Sequence, residues 1–150
     1  MPQNTPKELP TQDLKTAGLK VTLPRLRLLS VLESDPERHW SAEDVYRALA
    51  SAKADIGLAT VYRVLTQFEA AGLVIRRRFD DGHAVFELDS GMHHDHIVCV
   101  DCGHIEEFVD PTIEERQHEI ASSHGFDISD HSLVLYGVCN RKQCPNRNRR

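Results

Sequence analysis

Residues 57–88 read GLATVYRVLTQFEAAGLVIRRRFDDGHAVFEL, and the change of period inside this stretch decides the fold. Val61, Val64, Leu65 and Phe68 follow the i, i+3, i+4, i+7 spacing of an amphipathic helix. Gly57 leads into that helix and Gly72 is its natural terminator. Two β-prone runs follow, 73–79 and 83–88, around Asp80-Asp81-Gly82, whose Asp-Gly pair is a turn signal, so a hairpin is expected. Helices closed by a hairpin make a winged helix-turn-helix. A small helical bundle carrying a hairpin is the plainer alternative.

Upstream, three more helix starts are legible. Thr11 caps a short helix that ends at Gly18. Thr22-Leu23-Pro24 places a proline in the first turn of a second, with Leu28, Leu29 and Leu32 on one face. Ser41, followed by Glu43 and Asp44, is an N-cap with acids in the first turn, and the helix it opens buries Val45 and Leu49. Downstream, residues 89–92 read as a hinge. Runs 96–100 and 104–109 read as strands joined at Asp101-Cys102-Gly103. Asp110-Pro111 opens a helix with Glu114 and Glu115 in its first turns and Ile113, Ile120 and Ala121 on its apolar side; Gly125 ends it. Residues 126–138 read as one or two further strands, and 146–150 as a disordered tail. The fold class expected is α+β, a winged helix-turn-helix over 1–88, the hinge, and a second α/β domain over 93–150 with a basic tail.

The net charge of −5 conceals a split. Residues 1–89 are nearly neutral at −1, residues 90–138 carry −9, and residues 139–150 carry +5. The first part can therefore hold a basic face for nucleic acid, while the later part attracts cations. No apolar run reaches the roughly 18 residues a membrane span needs, and residues 1–10 are polar and Pro-rich without the apolar core of a secretory signal. A soluble cytoplasmic protein without membrane contact is expected. In that compartment four cysteines favour metal over disulfides.

The cysteines fall as Cys99-x2-Cys102 and Cys139-x4-Cys144, with 36 residues between the pairs. Two close thiolate pairs can supply the four corners of a tetrahedral structural zinc site with no open position. Buried free cysteines are the plain alternative. A redox pair is disfavoured because Cys99 does not precede a helix N-terminus. Nine histidines are many for this length, and five lie between His83 and His104. In the run 92–96, MHHDH, strand alternation puts His93 and Asp95 on one face and His94 and His96 on the other, so one run can feed two metal sites. A solvated polar loop is the competing reading. Glu87, Glu107, Glu114, His39 and His131 are all candidates to complete such sites, and the sequence does not choose among them.

On the helix over 58–70 the polar residues Thr60, Tyr62, Arg63 and Gln67 point away from the apolar stripe. These side-chain types reach base edges or phosphates in a major groove. Arg76, Arg77 and Arg78 in the hairpin, and Lys20, Arg25 and Arg27 upstream, are candidates for the DNA backbone. A lone basic triplet is most often solvated surface; behind a helix-turn-helix it carries more weight.

The stretches LKVTLPR (19–25), SAEDVY (41–46), GLATVYRVL (57–65), HHDHIVCVDC (93–102) and the late His131 to Cys139 segment together resemble the ferric uptake regulator family. The resemblance covers roughly residues 11–144. It implies a homodimer of chains, each with an N-terminal winged helix, a hinge and a C-terminal α/β dimerisation domain; whether dimers pair into a tetramer stays open. It further implies structural zinc on Cys99, Cys102, Cys139 and Cys144. A regulatory metal set would comprise His39, Glu87, His94, His96 and Glu107, and an additional site His93, Asp95, Glu114 and His131. Tyr62 and Arg63 correspond to recognition-helix contacts with double-stranded operator DNA, and Lys20 to a minor-groove contact. The basic tail departs from the acidic or His-rich tails common among relatives.

Nitrogen and oxygen ligands without thiolate suit Fe²⁺, Mn²⁺, Co²⁺ or Zn²⁺. Glutamate at 87 and 107 resembles iron sensors more than peroxide sensors, which commonly carry aspartate there. The implied function is an Fe²⁺-responsive repressor of iron-uptake genes, with zinc-, manganese- or peroxide-responsive regulators as the alternative. Two enzyme readings fit less well. A zinc hydrolase keeps an open metal position beside a general base, and a thiol oxidoreductase needs a low-pKa cysteine.

Overall fold

The computed structural model describes residues 11–79 and 82–140, and its chain contacts divide into two compact units, Met1–Ser90 and Gly91–Arg150. The first unit runs α1 (Thr11–Thr16), α2 (Leu23–Ser34), β1 (Trp40–Ser41), α3 (Ala42–Ser51), α4 (Leu58–Ala70), β2 (Val74–Arg78) and β3 (Ala84–Leu88). The expected apolar stripe of α4 is buried at all four positions, Val61, Val64, Leu65 and Phe68. It packs with Leu14, with Leu28, Leu29 and Leu32 of α2, and with Val45 and Leu49 of α3; Trp40, Val74 and Phe86 close the core from the sheet side. Each fully buried aliphatic or Phe side chain here contributes on the order of 1.5–3 kcal/mol.

Local signals set the ends of these helices. Ser41 Oγ accepts from Asp44 N at 3.0 Å while Asp44 Oδ2 accepts from Ser41 N at 3.3 Å, a reciprocal capping box for α3. Gly72 follows α4 at φ +75, a left-handed turn that glycine adopts without penalty. Thr11 is the first residue of α1 rather than its cap, and the turn residues Asp80 and Asp81 lie outside the described residues.

The sheet of this unit has the order β1-β3-β2, all antiparallel. The two-residue strand β1 was not expected from the sequence; it is too short to show periodicity. It nevertheless makes β3 the central strand, with Trp40 opposite Phe86 and Ser41 opposite Val85.

The second unit runs β4 (Asp95–Cys99), β5 (Ile105–Phe108), α5 (Pro111–Ser123) and β6 (Val134–Gly137). Its sheet has the order β5-β4-β6, with β5 antiparallel and β6 parallel to the central β4. Asp110 caps α5, its Oδ1 accepting from Thr112 N at 2.8 Å and Ile113 N at 3.2 Å. The expectation of strand across 126–138 holds only for β6. To run parallel to β4 the chain must first return to the start of that strand, and residues 124–133 make this return without regular structure. The tail over 141–150, and its expected disorder, lie outside the described residues. No helix among the described residues is long and apolar enough to cross a membrane.

Candidate metal centres and nucleic-acid interface

Glu87 sits on the central strand of the first sheet and is 2% exposed. The register Trp40↔Phe86, continued by one step, sets His39 across from it, and His39 Nε2 lies 2.6 Å from Glu87 Oε2. Residues 48 positions apart in sequence thus meet because β1 pairs with β3. On the other flank, Ile75 is the cross-strand partner of Glu87, so Arg77 is its diagonal neighbour on the same face. Arg77 Nε donates to Glu87 Oε1 at 2.7 Å.

The second unit gathers four candidate donors. One ligand atom from each of His93, Asp95, Glu114 and His131 lies within 4.8 Å of all the others. His93 Nε2 is 3.2 Å from Glu114 Oε1 and 3.3 Å from Asp95 Oδ1; His131 Nε2 is 3.4 Å from Glu114 Oε1 and 3.9 Å from Asp95 Oδ1. Four donors at metal–ligand bonds of about 2.0–2.2 Å in a tetrahedron would stand about 3.3–3.6 Å apart. Asp95 is 1% exposed. Neither of its carboxylate oxygens, nor Glu114 Oε1, nor His131 Nε2, has a hydrogen-bond partner among the described residues. A buried carboxylate without a hydrogen-bond donor is costly even with imidazole nitrogens at 3.3 and 3.9 Å. The donor set, its spacing and its unmet acceptors all fit a divalent cation.

On the opposite face of the same run, His94 and His96 rings lie 4.8 Å apart. His96 is the cross-strand partner of Glu107, whose Oε1 is 3.2 Å from His94 Nε2. At the end of β4, Cys99 Sγ accepts from the backbone N–H groups of Cys102, at 3.4 Å, and Cys139, at 3.2 Å. These N–H dipoles lower the Cys99 thiol to about 7, against a smaller opposing effect of burial, and so favour the thiolate that ligates zinc. Gly103, at φ +74, makes the tight turn that lets Cys102 double back. Cys144 lies outside the described residues.

The outer face of α4 presents Tyr62 and Arg63 to solvent, with Thr60 half-buried beside them. Tyr62 donates its hydroxyl to Glu43 Oε1 at 2.7 Å. Gln67 Oε1 accepts from Arg25 Nη2 at 3.0 Å and Nε at 3.3 Å, while Arg25 Nη1 donates to the Lys20 carbonyl at 2.8 Å.

The ferric uptake regulator family model matches residues 16–136. The chain belongs to the ferric uptake regulator family. It is 57% identical over 138 residues to the ferric uptake regulation protein of Cupriavidus metallidurans, covering 92% of this chain and 96% of that protein. It is also similar to the solved ferric uptake regulator of Vibrio cholerae (TM-score 0.79, 54% identity, 86% of this chain and 98% of that one). The structure of the Pseudomonas aeruginosa regulator with manganese is similar at TM-score 0.72 and 59% identity, covering 87% and 98%.

Within this family fold, the three arginines of β2 divide between two faces. Arg77 does not share a face with Arg76 and Arg78. Strand alternation turns it to the Glu87 side, half-buried, while Arg76 and Arg78 are exposed and the Arg76 guanidinium lies 5.8 Å from the Phe86 ring centre. Arg77 therefore spends its Nε–H on a carboxylate. The alternation rule already carried that signal. The Arg25–Gln67 and Tyr62–Glu43 pairs were missed because they join different helices, and no spacing within one segment encodes them.

Proposed function

We propose that this ferric uptake regulator family member is an Fe²⁺-responsive, operator-binding transcriptional repressor that acts as a cytoplasmic homodimer. The observation that carries the reading is the His39–Glu87 pair: a carboxylate on the central strand and a histidine just ahead of β1 meet in the same unit that presents Tyr62 and Arg63 on α4. Metal ligands embedded in a DNA-reading unit give metal a lever on DNA affinity.

Residues 1–88 serve as the winged-helix DNA-binding domain, 89–92 as hinge and 93–150 as dimerisation domain. His39, Glu87, His94, His96 and Glu107 form the regulatory metal set. His93, Asp95, Glu114 and His131 form the additional site, and Cys99, Cys102, Cys139 and Cys144 the structural zinc site. Bound cations supply concentrated positive charge that draws these ligands together and favours the arrangement in which they converge. Lys20, Thr60, Tyr62, Arg63 and Arg76 engage double-stranded operator DNA, Tyr62 and Arg63 at base edges and Arg76 at phosphate. Dimerisation is supported by how little the second unit buries alone. No described residue of α5 is buried, while Ile97, Leu135, Phe126 and Val138 stand exposed. A unit this small needs a partner surface or metal to complete its core.

The family supports iron, and the nitrogen and oxygen donor set suits it as it suits Mn²⁺, Co²⁺ or Zn²⁺. Zn²⁺ binds such a set more tightly than Fe²⁺ in vitro, so iron selectivity rests on cellular availability and geometry. Manganese is the second reading, favoured by the manganese in the similar Pseudomonas aeruginosa structure. The deciding experiment is anaerobic operator binding titrated with Fe²⁺, beside Mn²⁺ and Zn²⁺. A metal-dependent gain in affinity is expected, and operator affinity indifferent to all three metals overturns the reading.

A further inference from the structure

Glu87 is held at both oxygens. Oε1 accepts from Arg77 Nε at 2.7 Å, and Oε2 lies 2.6 Å from His39 Nε2. The Glu87 side chain is 3% exposed and that of Arg77 25%. All three residues follow from the β1-β3-β2 register, with Glu87 on the central strand, His39 arriving from the β1 flank and Arg77 from the β2 flank.

We propose that Arg77 is a positioning residue of the regulatory metal centre: its hydrogen bond occupies Glu87 Oε1, so that the carboxylate offers a single oxygen, Oε2, to the cation. The inference rests on the reading of His39 and Glu87 as ligands. A carboxylate free at both oxygens binds a cation through one or two of them and rotates between the modes. A donor fixed on one oxygen removes that choice and sets the direction of the other, as partners of metal ligands commonly do. Arg77 also brings a positive charge, which opposes cation binding. Because the guanidinium is partly solvated, water and salt screen that charge, whereas the short hydrogen bond to a buried oxygen keeps its full orienting effect. Orientation outweighs repulsion, and removing Arg77 weakens the centre.

Three variants of the full-length, zinc-containing chain separate the possibilities: Arg77→Met, Arg77→Gln and Glu87→Ala. Methionine removes both the donor and the charge. Glutamine places an amide nitrogen the same number of bonds from the backbone as Arg Nε, keeping the donor without the charge. Trp40 is the only tryptophan and adjoins His39 in sequence, so quenching of its fluorescence by Mn²⁺ or Co²⁺ reports binding there. The Co²⁺ d–d absorption, taken as a difference against Glu87→Ala, reports the ligand field of the Glu87 centre alone.

The expected result is that Glu87→Ala strongly weakens the quench, that Arg77→Met weakens binding about 10- to 100-fold, in the range typical of lost outer partners, with a changed Co²⁺ difference spectrum, and that Arg77→Gln restores wild-type affinity and spectrum. Arg77→Met with wild-type affinity and spectrum, or with tighter binding, overturns the inference while leaving the ligand assignment standing. Arg77→Gln behaving like Arg77→Met makes charge the operative property and also overturns it. A wild-type protein whose Trp40 ignores both metals, or a Glu87→Ala variant that quenches normally, refutes the ligand assignment itself and the inference with it.

Discussion

The hydroxyl of Tyr62 donates to Glu43 Oε1 at 2.7 Å, tying the exposed face of α4 to the first turn of α3. This bond is the largest influence holding the Glu43 carboxyl below its ordinary range; its backbone hydrogen bond and the charges of His83 and Arg47 add to it, against desolvation. The same bond raises the Tyr62 phenol. A carboxyl lowered on folding contributes stability above its unfolded value of 4.5, and that contribution is lost as pH falls through the lower folded value. Tyr62→Phe is therefore expected to return the Glu43 titration, followed by NMR, toward 4.5 and to flatten the loss of stability in acid. An unchanged Glu43 titration in that variant would show that the bond is not formed in solution.

Arg63 and Arg76 are both exposed but on different elements, α4 and β2. Arg63→Ala should weaken operator binding more than binding to random DNA, by about 1–3 kcal/mol for a lost base contact. Arg76→Ala should weaken both alike and reduce the salt slope by about one unit, as a phosphate contact does. Fluorescence anisotropy across a salt series measures both quantities, and indistinguishable variants would place the recognition face elsewhere.

What the sequence revealed depended on whether the relevant geometry lies within one segment. The α4 stripe and the division of His93 and Asp95 from His94 and His96 are properties of a single helix and a single extended run, and both were readable from spacing. The encounter of His39 with Glu87 depends on β1, whose two residues carry no period, and that of Asp95 with Glu114 and His131 depends on where α5 and an irregular segment return. Only the family resemblance linked those. The Arg77–Glu87 bond is half-legible: alternation within β2 turns the middle arginine of the triplet to the other face, but only the pairing of β2 with β3 brings it to Glu87.

Cys99 is buried and its sulfur collects two backbone N–H groups. Serine offers a weaker zinc ligand in the same place. Cys99→Ser should lose zinc, measured by inductively coupled plasma analysis, and unfold or monomerise the second unit, because binding energy at such a site is folding energy. The α2–α4 core of the first unit shares no residue with this cysteine, so part of the helical circular dichroism should survive. A zinc-free serine variant that remains a stable dimer rules out the structural role.

His39 and His131 separate coupling from assembly. His39 lies just ahead of β1, beside Glu87 of β3, in the same unit as α4, whereas His131 faces Asp95 and Glu114 wholly within the second unit. Removing the His39 imidazole leaves every described member of the His93 nest in place. His39→Ala should therefore keep the structural zinc and the dimer, and retain part of the regulatory metal binding through Glu87, His94, His96 and Glu107. It should lose the metal-dependent gain in operator affinity, about 1–3 kcal/mol for a typical allosteric coupling. His131→Ala instead removes the imidazole nitrogen 3.9 Å from the buried Asp95 Oδ1, whose carboxylate oxygens have no hydrogen-bond partner among the described residues. That loss falls on the stability of the second unit and hence on the dimer. Paired operator titrations with and without Fe²⁺, beside sedimentation equilibrium on both variants, measure the two effects. If His39→Ala keeps the full metal response, His39 is a buried partner of Glu87 with a structural role only, and the metal acts on DNA affinity by a route that does not pass through it.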